Sequence, residues 1–139
     1  MASVSAPPLT GSGRVGLWAP VAVCMAAIFF ASALSNPPMP DDVDDKTAHT
    51  GAYLVLGVTV VRAVAGGLPA RIGMRVALVA LAITIGYGAT DEYHQLFVPD
   101  RTGDLMDLRA DAIGAVIATA ACWAWGILAP ASDRRRVSS

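Results

Sequence analysis

Charge is scarce in this chain and unevenly placed. Asp, Glu, Lys and Arg make up 15% of its 139 residues, against about 25% in soluble domains. The formal net charge is −1, and the one basic run, Arg134-Arg135-Arg136, stands beside an apolar block. Nothing in that pattern suits nucleic acid, and no nucleic-acid partner is expected. Cysteine is scarcer still. Cys24 and Cys122 each sit inside an apolar block, with no cysteine or histidine at metal-ligand spacing. They read as small apolar packing residues, and the redox compartment is not legible from them. A G-x-S-x-G elbow, a phosphate-binding glycine loop and a Cys–His nucleophile pair are all missing, which removes the commonest hydrolase and nucleotide-binding signatures. No internal repeat or low-complexity linker is present.

What the chain has in abundance is apolar sequence. Its hydrophobic fraction is 55% and its mean hydropathy is +0.54. The apolar residues fall into four blocks: Leu17 to Leu34, Thr47 to Ala65, Ile72 to Thr90 and Ala110 to Leu128. At about 1.5 Å per residue each is near 28 Å as a helix, just enough for a hydrocarbon core of about 30 Å. Trp18, Trp123 and Trp125 stand near block ends as interfacial anchors. Ser35-Asn36-Pro37-Pro38 stops the first block and Gly66-Gly67-Leu68-Pro69 ends the second. The first block is too long for an ordinary signal-peptide core and lacks a small-x-small exit, so it is expected as a retained helix. The fold class is therefore an all-α membrane protein, a bundle of four transmembrane helices. Residues 1–16 form an N-terminal tail, 17–129 the membrane domain and 130–139 a basic C-terminal tail.

The basic residues set an expected orientation. Arg14 precedes the first block, Arg62, Arg71 and Arg75 surround the second-to-third turn, and Arg134 to Arg136 follow the fourth. The positive-inside rule puts these places, and both termini, in the cytoplasm. The two remaining connections are acidic: Asp41-Asp42-Val43-Asp44-Asp45, and Asp91 to Asp107. They are expected outside, on a bacterial cytoplasmic membrane.

Those outer ends carry the chemistry. Asp45 is a reasonable N-cap for the second helix. Lys46, His49 and Tyr53 follow at i, i+3 and i+7, one face of a helix. Thr84, Tyr87, Asp91 and His94 or Gln95 share a face if the third helix runs past Thr90, and Pro99 limits how far it goes. Asp104, Asp107 and Asp111 lead into the fourth helix with the same spacing. Gly114 and Ala115 extend that face, where small residues permit close helix approach. Orientation came from the arginines alone, yet all three polar stripes meet on one side. The expected site holds Lys46, His49, Tyr53, Asp91, Glu92, His94, Gln95, Arg101, Asp104, Asp107 and Asp111.

Polar residues at helix ends often do no more than cap backbone and pair with each other. Asp41, Asp42 and Asp44 fit that description as a solvated face. Asp91, Glu92, His94 and Arg101 exceed what capping one helix requires, and ionisable groups at membrane depth point to function. Two histidines beside carboxylates have the donor types for a divalent metal, but no spacing resembles a zinc box. Acid–base work is favoured: His94 as acid or base, Asp91 or Glu92 orienting it, with Lys46 and Arg101 binding an anionic group. No metal or other cofactor is expected. Ser35, at the outer end of the first helix, is a weak nucleophile candidate.

Three patterns together resemble the VanZ-like family of small bacterial membrane proteins. They are Asp45-Lys46-x-x-His49-x-x-x-Tyr53-x-x-x-Gly57, then Asp91-Glu92-x-His94-Gln95-x-Phe97-Val98-Pro99-x-Arg101, then Asp104-x-x-Asp107-x-x-x-Asp111-x-x-Gly114. The resemblance runs from about Phe30 to Ala118, and the middle pattern is the most specific. It implies an integral membrane protein of the cell envelope, and the family is associated with low-level resistance to the glycopeptide teicoplanin. One position departs: the family usually has asparagine where this chain has Asp111, so an acceptor-only carboxylate replaces a neutral donor–acceptor.

Two functions are carried forward. One is an envelope-modifying enzyme acting on a membrane lipid or a lipid-linked cell-wall component. The other is a non-catalytic protein that binds or shields a lipid or drug moiety. A transporter is disfavoured, because the polar groups lie near one surface and no broken midplane helix is evident.

Overall fold

The structure is a computed structural model and describes residues 11–38 and 40–129. Four helices follow one another: α1 Gly11–Ser32, α2 Asp45–Ala65, α3 Met74–Gln95 and α4 Leu105–Leu128. All four are long and apolar enough to cross a membrane. α2 is central and packs on the other three, most extensively on α4. Successive helices run up and down, so the end of α1, the start of α2, the end of α3 and the start of α4 share one end of the bundle. Arg62, in the last turn of α2, donates to the carbonyls of Gly16 and Leu17 at the other end. Arg134 to Arg136 and the C-terminal tail lie outside the described residues.

The helix bounds differ from those expected by hydropathy, chiefly at the site end. α1 starts at Gly11, inside the stretch expected as a tail, and stops at Ser32 instead of Leu34. α3 starts at Met74 and runs on to Gln95, past Thr90. α4 begins at Leu105, a turn and more before Ala110. Polar residues continue these helices because they are capped and buried, which an apolar window does not detect. The cap of α2 is Asp44, not Asp45: its carboxylate accepts from the Thr47 backbone N–H at 2.9 Å. That bond holds the Asp44 carboxyl below the usual carboxylate range. Asp104 caps α4, accepting from the Met106 N–H at 2.8 Å. α2 ends at Gly66 with φ 79°, a left-handed C-cap that glycine adopts without strain.

Close packing of α2 on α4 rests on glycine. A Cβ at Gly114 would run into the Thr50 carbonyl and lie 2.8 Å from the Leu54 nitrogen. One at Gly57 would meet the Ala118 Cβ at 2.7 Å and the Ala115 Cα at 3.4 Å. Tyr53, Leu56, Val60 and Val61 are fully or almost fully buried along the intervening face. Lipid tails are as apolar as leucine, so helix association here depends on contact and on polar pairing, and small residues bring the backbones together. The outer-facing Val55, Ile113, Val116, Ile117 and Ile127 remain exposed, as a lipid-facing surface requires.

Candidate functional site

The three polar stripes converge at the end of the bundle where α2 and α4 begin. From α2, His49 Nδ1 lies 2.9 Å from Asp111 Oδ1 of α4. The Asp111 side chain is fully buried and that of His49 is 10% exposed. One turn nearer the surface, Lys46 donates to Asp104 at 2.8 Å and also to Asp107. The ammonium holds the Asp104 carboxyl below its ordinary range. One turn deeper is Tyr53, its ring parallel to that of His49 with centroids 6.4 Å apart. So the i, i+3, i+7 stripe of α2 faces the Asp104, Asp107, Asp111 stripe of α4, rung by rung.

α3 closes the third side. Asp91 is buried and accepts from the Ser32 hydroxyl of α1 at 2.5 Å and, more weakly, from the Gln95 amide at 3.4 Å. Glu92 Oε2 accepts from the Asp104 N–H at 2.8 Å, tying the end of α3 to the cap of α4. Gly88 lies one turn deeper. A Cβ there would stand 2.8 Å from Asp111 Oδ2, so the glycine lets the Asp111 carboxylate lie against α3. His94 lies to one side, half-buried and stacked on Phe29 of α1, with ring centroids 4.4 Å apart. Of the two residues expected to continue the α3 face, Gln95 points fully inward and His94 turns towards α1.

Between α1, α2 and α3 lies a cavity of about 300 Å³ whose lining includes Ser32, His49, Tyr53, Asp91 and Arg101. The rest of its wall is chiefly apolar, including Ala27, Ile28, Pro37 and Pro38. Arg101 is the cationic side chain in the wall. Lys46 is turned to the other side, towards the two aspartates.

Buried polar atoms without partners are rare, because each forfeits roughly 1–3 kcal/mol. Among the described residues five side-chain atoms are in that condition: Tyr53 Oη, Glu92 Oε1, His94 Nε2, Arg101 Nε and Asp111 Oδ2. All five belong to this one cluster. The rest of the bundle satisfies its buried side chains internally; Thr84 and Thr119 each donate to a backbone carbonyl four residues earlier.

With this geometry in place, comparison with known families is decisive. The family model described as VanZ/LLP1 matches residues 17–128, most of the chain, including α2, α3, α4 and the greater part of α1. The chain belongs to the VanZ-like family. No curated protein and no solved structure matches it. The matched span contains every residue of the VanZ-like patterns read from the sequence.

The structure assembles the expected site residues but distributes them unequally. His49, Tyr53, Asp91, Glu92, Asp107 and Asp111 point inward, Lys46 and Asp104 form a half-exposed lid of charge, and Arg101 lines the cavity. The histidine that meets a carboxylate is His49, on Asp111; among the described residues His94 makes no hydrogen bond to Asp91 or Glu92. Ser35 is exposed beyond the end of α1, and Ser32 is the serine that enters the site. Two members were not legible beforehand. Ser32 lay inside the apolar block expected to run to Leu34, and Phe29, which stacks on the His94 ring, read as ordinary apolar sequence of the same block. Ser32 does lie only five residues before Pro37, near the end of the helix that Pro37-Pro38 stops.

Proposed function

We propose that this VanZ-like protein takes an anionic headgroup, of a membrane lipid or a lipid-linked cell-wall component, into its polar cavity at the extracytoplasmic face. By doing so it lowers the susceptibility of its host to glycopeptides. The observation that carries this reading is the cluster of five unpartnered polar atoms, two of which, on Tyr53 and Arg101, belong to residues that line one cavity. A fold retains such a group of orphaned donors and acceptors where a ligand completes it. The outward assignment is supported by Arg14, Arg62, Arg71 and Arg75, which lie towards the other end of the bundle.

Each residue has a role in this reading. Arg101, with an unpartnered Nε, receives the anionic group; a guanidinium suits phosphate or carboxylate because its donors lie in one plane. In the enzyme form of this reading His94 transfers the proton, since its Nε2 is buried and has no partner while Phe29 stacks on the ring. Asp91, fixed by Ser32 and Gln95, lies one turn before His94 and lines the cavity. A second reading is favoured by the largely apolar cavity wall, which suits holding an acyl or drug moiety without turnover.

Mass spectrometry of envelope lipids and wall precursors separates the two. The hosts express wild type, His94→Ala or Arg101→Gln at matched membrane levels. The enzyme reading expects one phosphate-bearing species to change with wild type and to stay unchanged with either variant. No change in any species, alongside a retained change in susceptibility, leaves holding as the function. An Arg101→Gln variant equal to wild type in both readouts would sink the anionic-ligand proposal.

A further inference from the structure

His49, Glu92 and Asp111 come from three different helices, and each offers a ligand atom within 4.8 Å of the others. We infer that these three side chains hold a divalent transition-metal ion at the floor of the outer site. This rests on reading the outer cluster as a ligand site and deepens that reading, because an ion here and Arg101 across the cavity would grip one anionic headgroup from two sides.

The two carboxylates are arranged as ligands are. Each is anchored through one oxygen and leaves the other free. Asp111 Oδ1 meets His49, and Asp111 Oδ2 has no partner. Glu92 Oε2 accepts from the Asp104 N–H, and Glu92 Oε1 has no partner. Gly88 supplies the room in which Asp111 Oδ2 faces α3, one turn below Glu92. An independent sign is Tyr53, which is not one of the three. It is 1% exposed, its hydroxyl has no partner, and its ring lies parallel to that of His49 with centroids 6.4 Å apart. A hydroxyl so placed can donate to an oxygen carried by a bound ion.

Charge and geometry agree. Two carboxylates this close, at the edge of a low-dielectric slab, repel strongly unless a cation or protons neutralise them. A divalent cation with neutral His49 brings the set to zero net charge. One imidazole and two carboxylates form a donor set suited to zinc or manganese, and three protein ligands leave a position open for a headgroup oxygen. A second triad, Asp45, His49 and Asp107, is also close together. It is the weaker candidate, because Asp107 is already neutralised by Lys46. With His49 as a ligand, proton transfer falls to His94, so the two histidines do not compete.

The test uses the full chain purified in detergent, stripped with EDTA and titrated with Zn²⁺. Bound metal is counted by mass spectrometry, and thermal stability is read with and without the ion. We expect one Zn²⁺ per chain and a Zn²⁺-dependent rise in Tm. Asp111→Asn keeps the shape of the side chain and should weaken binding by about 100-fold or more, at or beyond the upper end of what loss of an outer-shell partner causes. Glu92→Gln serves as a second variant and should do the same. Gly86→Leu, at a position where an added Cβ meets nothing within 4 Å, should bind as wild type does. Sub-stoichiometric binding in wild type, or equal binding in wild type and in whichever of the two carboxylate variants folds in EDTA, overturns the inference in favour of carboxylates neutralised by protons. Either result leaves the headgroup reading to stand or fall on Arg101→Gln.

Discussion

Gly114→Leu is expected to remove most of the folded protein from the membrane. The α2–α4 contact is the largest in the bundle, and at Gly114 it is backbone against backbone. A side chain there meets the Thr50 carbonyl and the Tyr53–Leu54 peptide, neither of which can rotate away. Overpacking a core against movable side chains already costs about 1–3 kcal/mol. Against backbone the loss should be about 3 kcal/mol or more, a large share of the 5–15 kcal/mol typical of a folded domain. Because His49 and Asp111 face each other one turn away, separating the helices also opens the site. The readout is the monodisperse fraction in size-exclusion chromatography of a fluorescent fusion, with Gly86→Leu as control. Nothing lies within 4 Å of a Cβ at Gly86, so that variant should accumulate normally. Equal recovery of the two variants would show that α2 and α4 are not held as described.

Lys46→Met carries the second large effect. Lys46 bridges Asp104 and Asp107, and the Asp107 side chain is 6% exposed while that of Lys46 is 45% exposed. Removing one partner of a buried pair typically costs about 3–5 kcal/mol, because the other charge is left without compensation. Water reaches the lysine here, which screens the pair and reduces the expected loss to about 1–3 kcal/mol. The cause is separable. In Lys46→Met/Asp107→Asn the stranded charge is gone, and more than half of the lost thermal stability should return. A double variant no more stable than the single one would mean that Lys46 acts through packing or through Asp104 instead.

Much of this arrangement was legible in the sequence, for identifiable reasons. Four spans follow from apolar length. The gathering of Lys46, His49, Tyr53, Asp107 and Asp111 follows from helical spacing combined with alternating direction, and the observed rungs across α2 and α4 have that register. What was not legible depends on contacts between helices. Spacing alone does not say that His49 faces Asp111 while His94 stacks on Phe29, since both histidines lie near carboxylates in sequence. Nor does it reveal that Ser32 reaches Asp91, because a serine at the end of an apolar run reads the same whether it faces lipid or protein. Helix ends were displaced at the site end because Asp44 and Asp104 cap backbone, and burial lets Asp91, Glu92, Gln95 and Asp107 remain helical among apolar neighbours. Asp111 stood out as a departure from the usual asparagine, and its free oxygen against Gly88 gives that departure a structural setting.

The most direct measurement is teicoplanin susceptibility of a host expressing wild type or His94→Ala, with membrane levels matched and Gly86→Leu as a folded control. Protection by wild type and by Gly86→Leu, lost in His94→Ala, is the result expected if the polar cluster is the functional site. Equal protection by wild type and His94→Ala would make His94 a packing partner of Phe29 and contradict its role in the site.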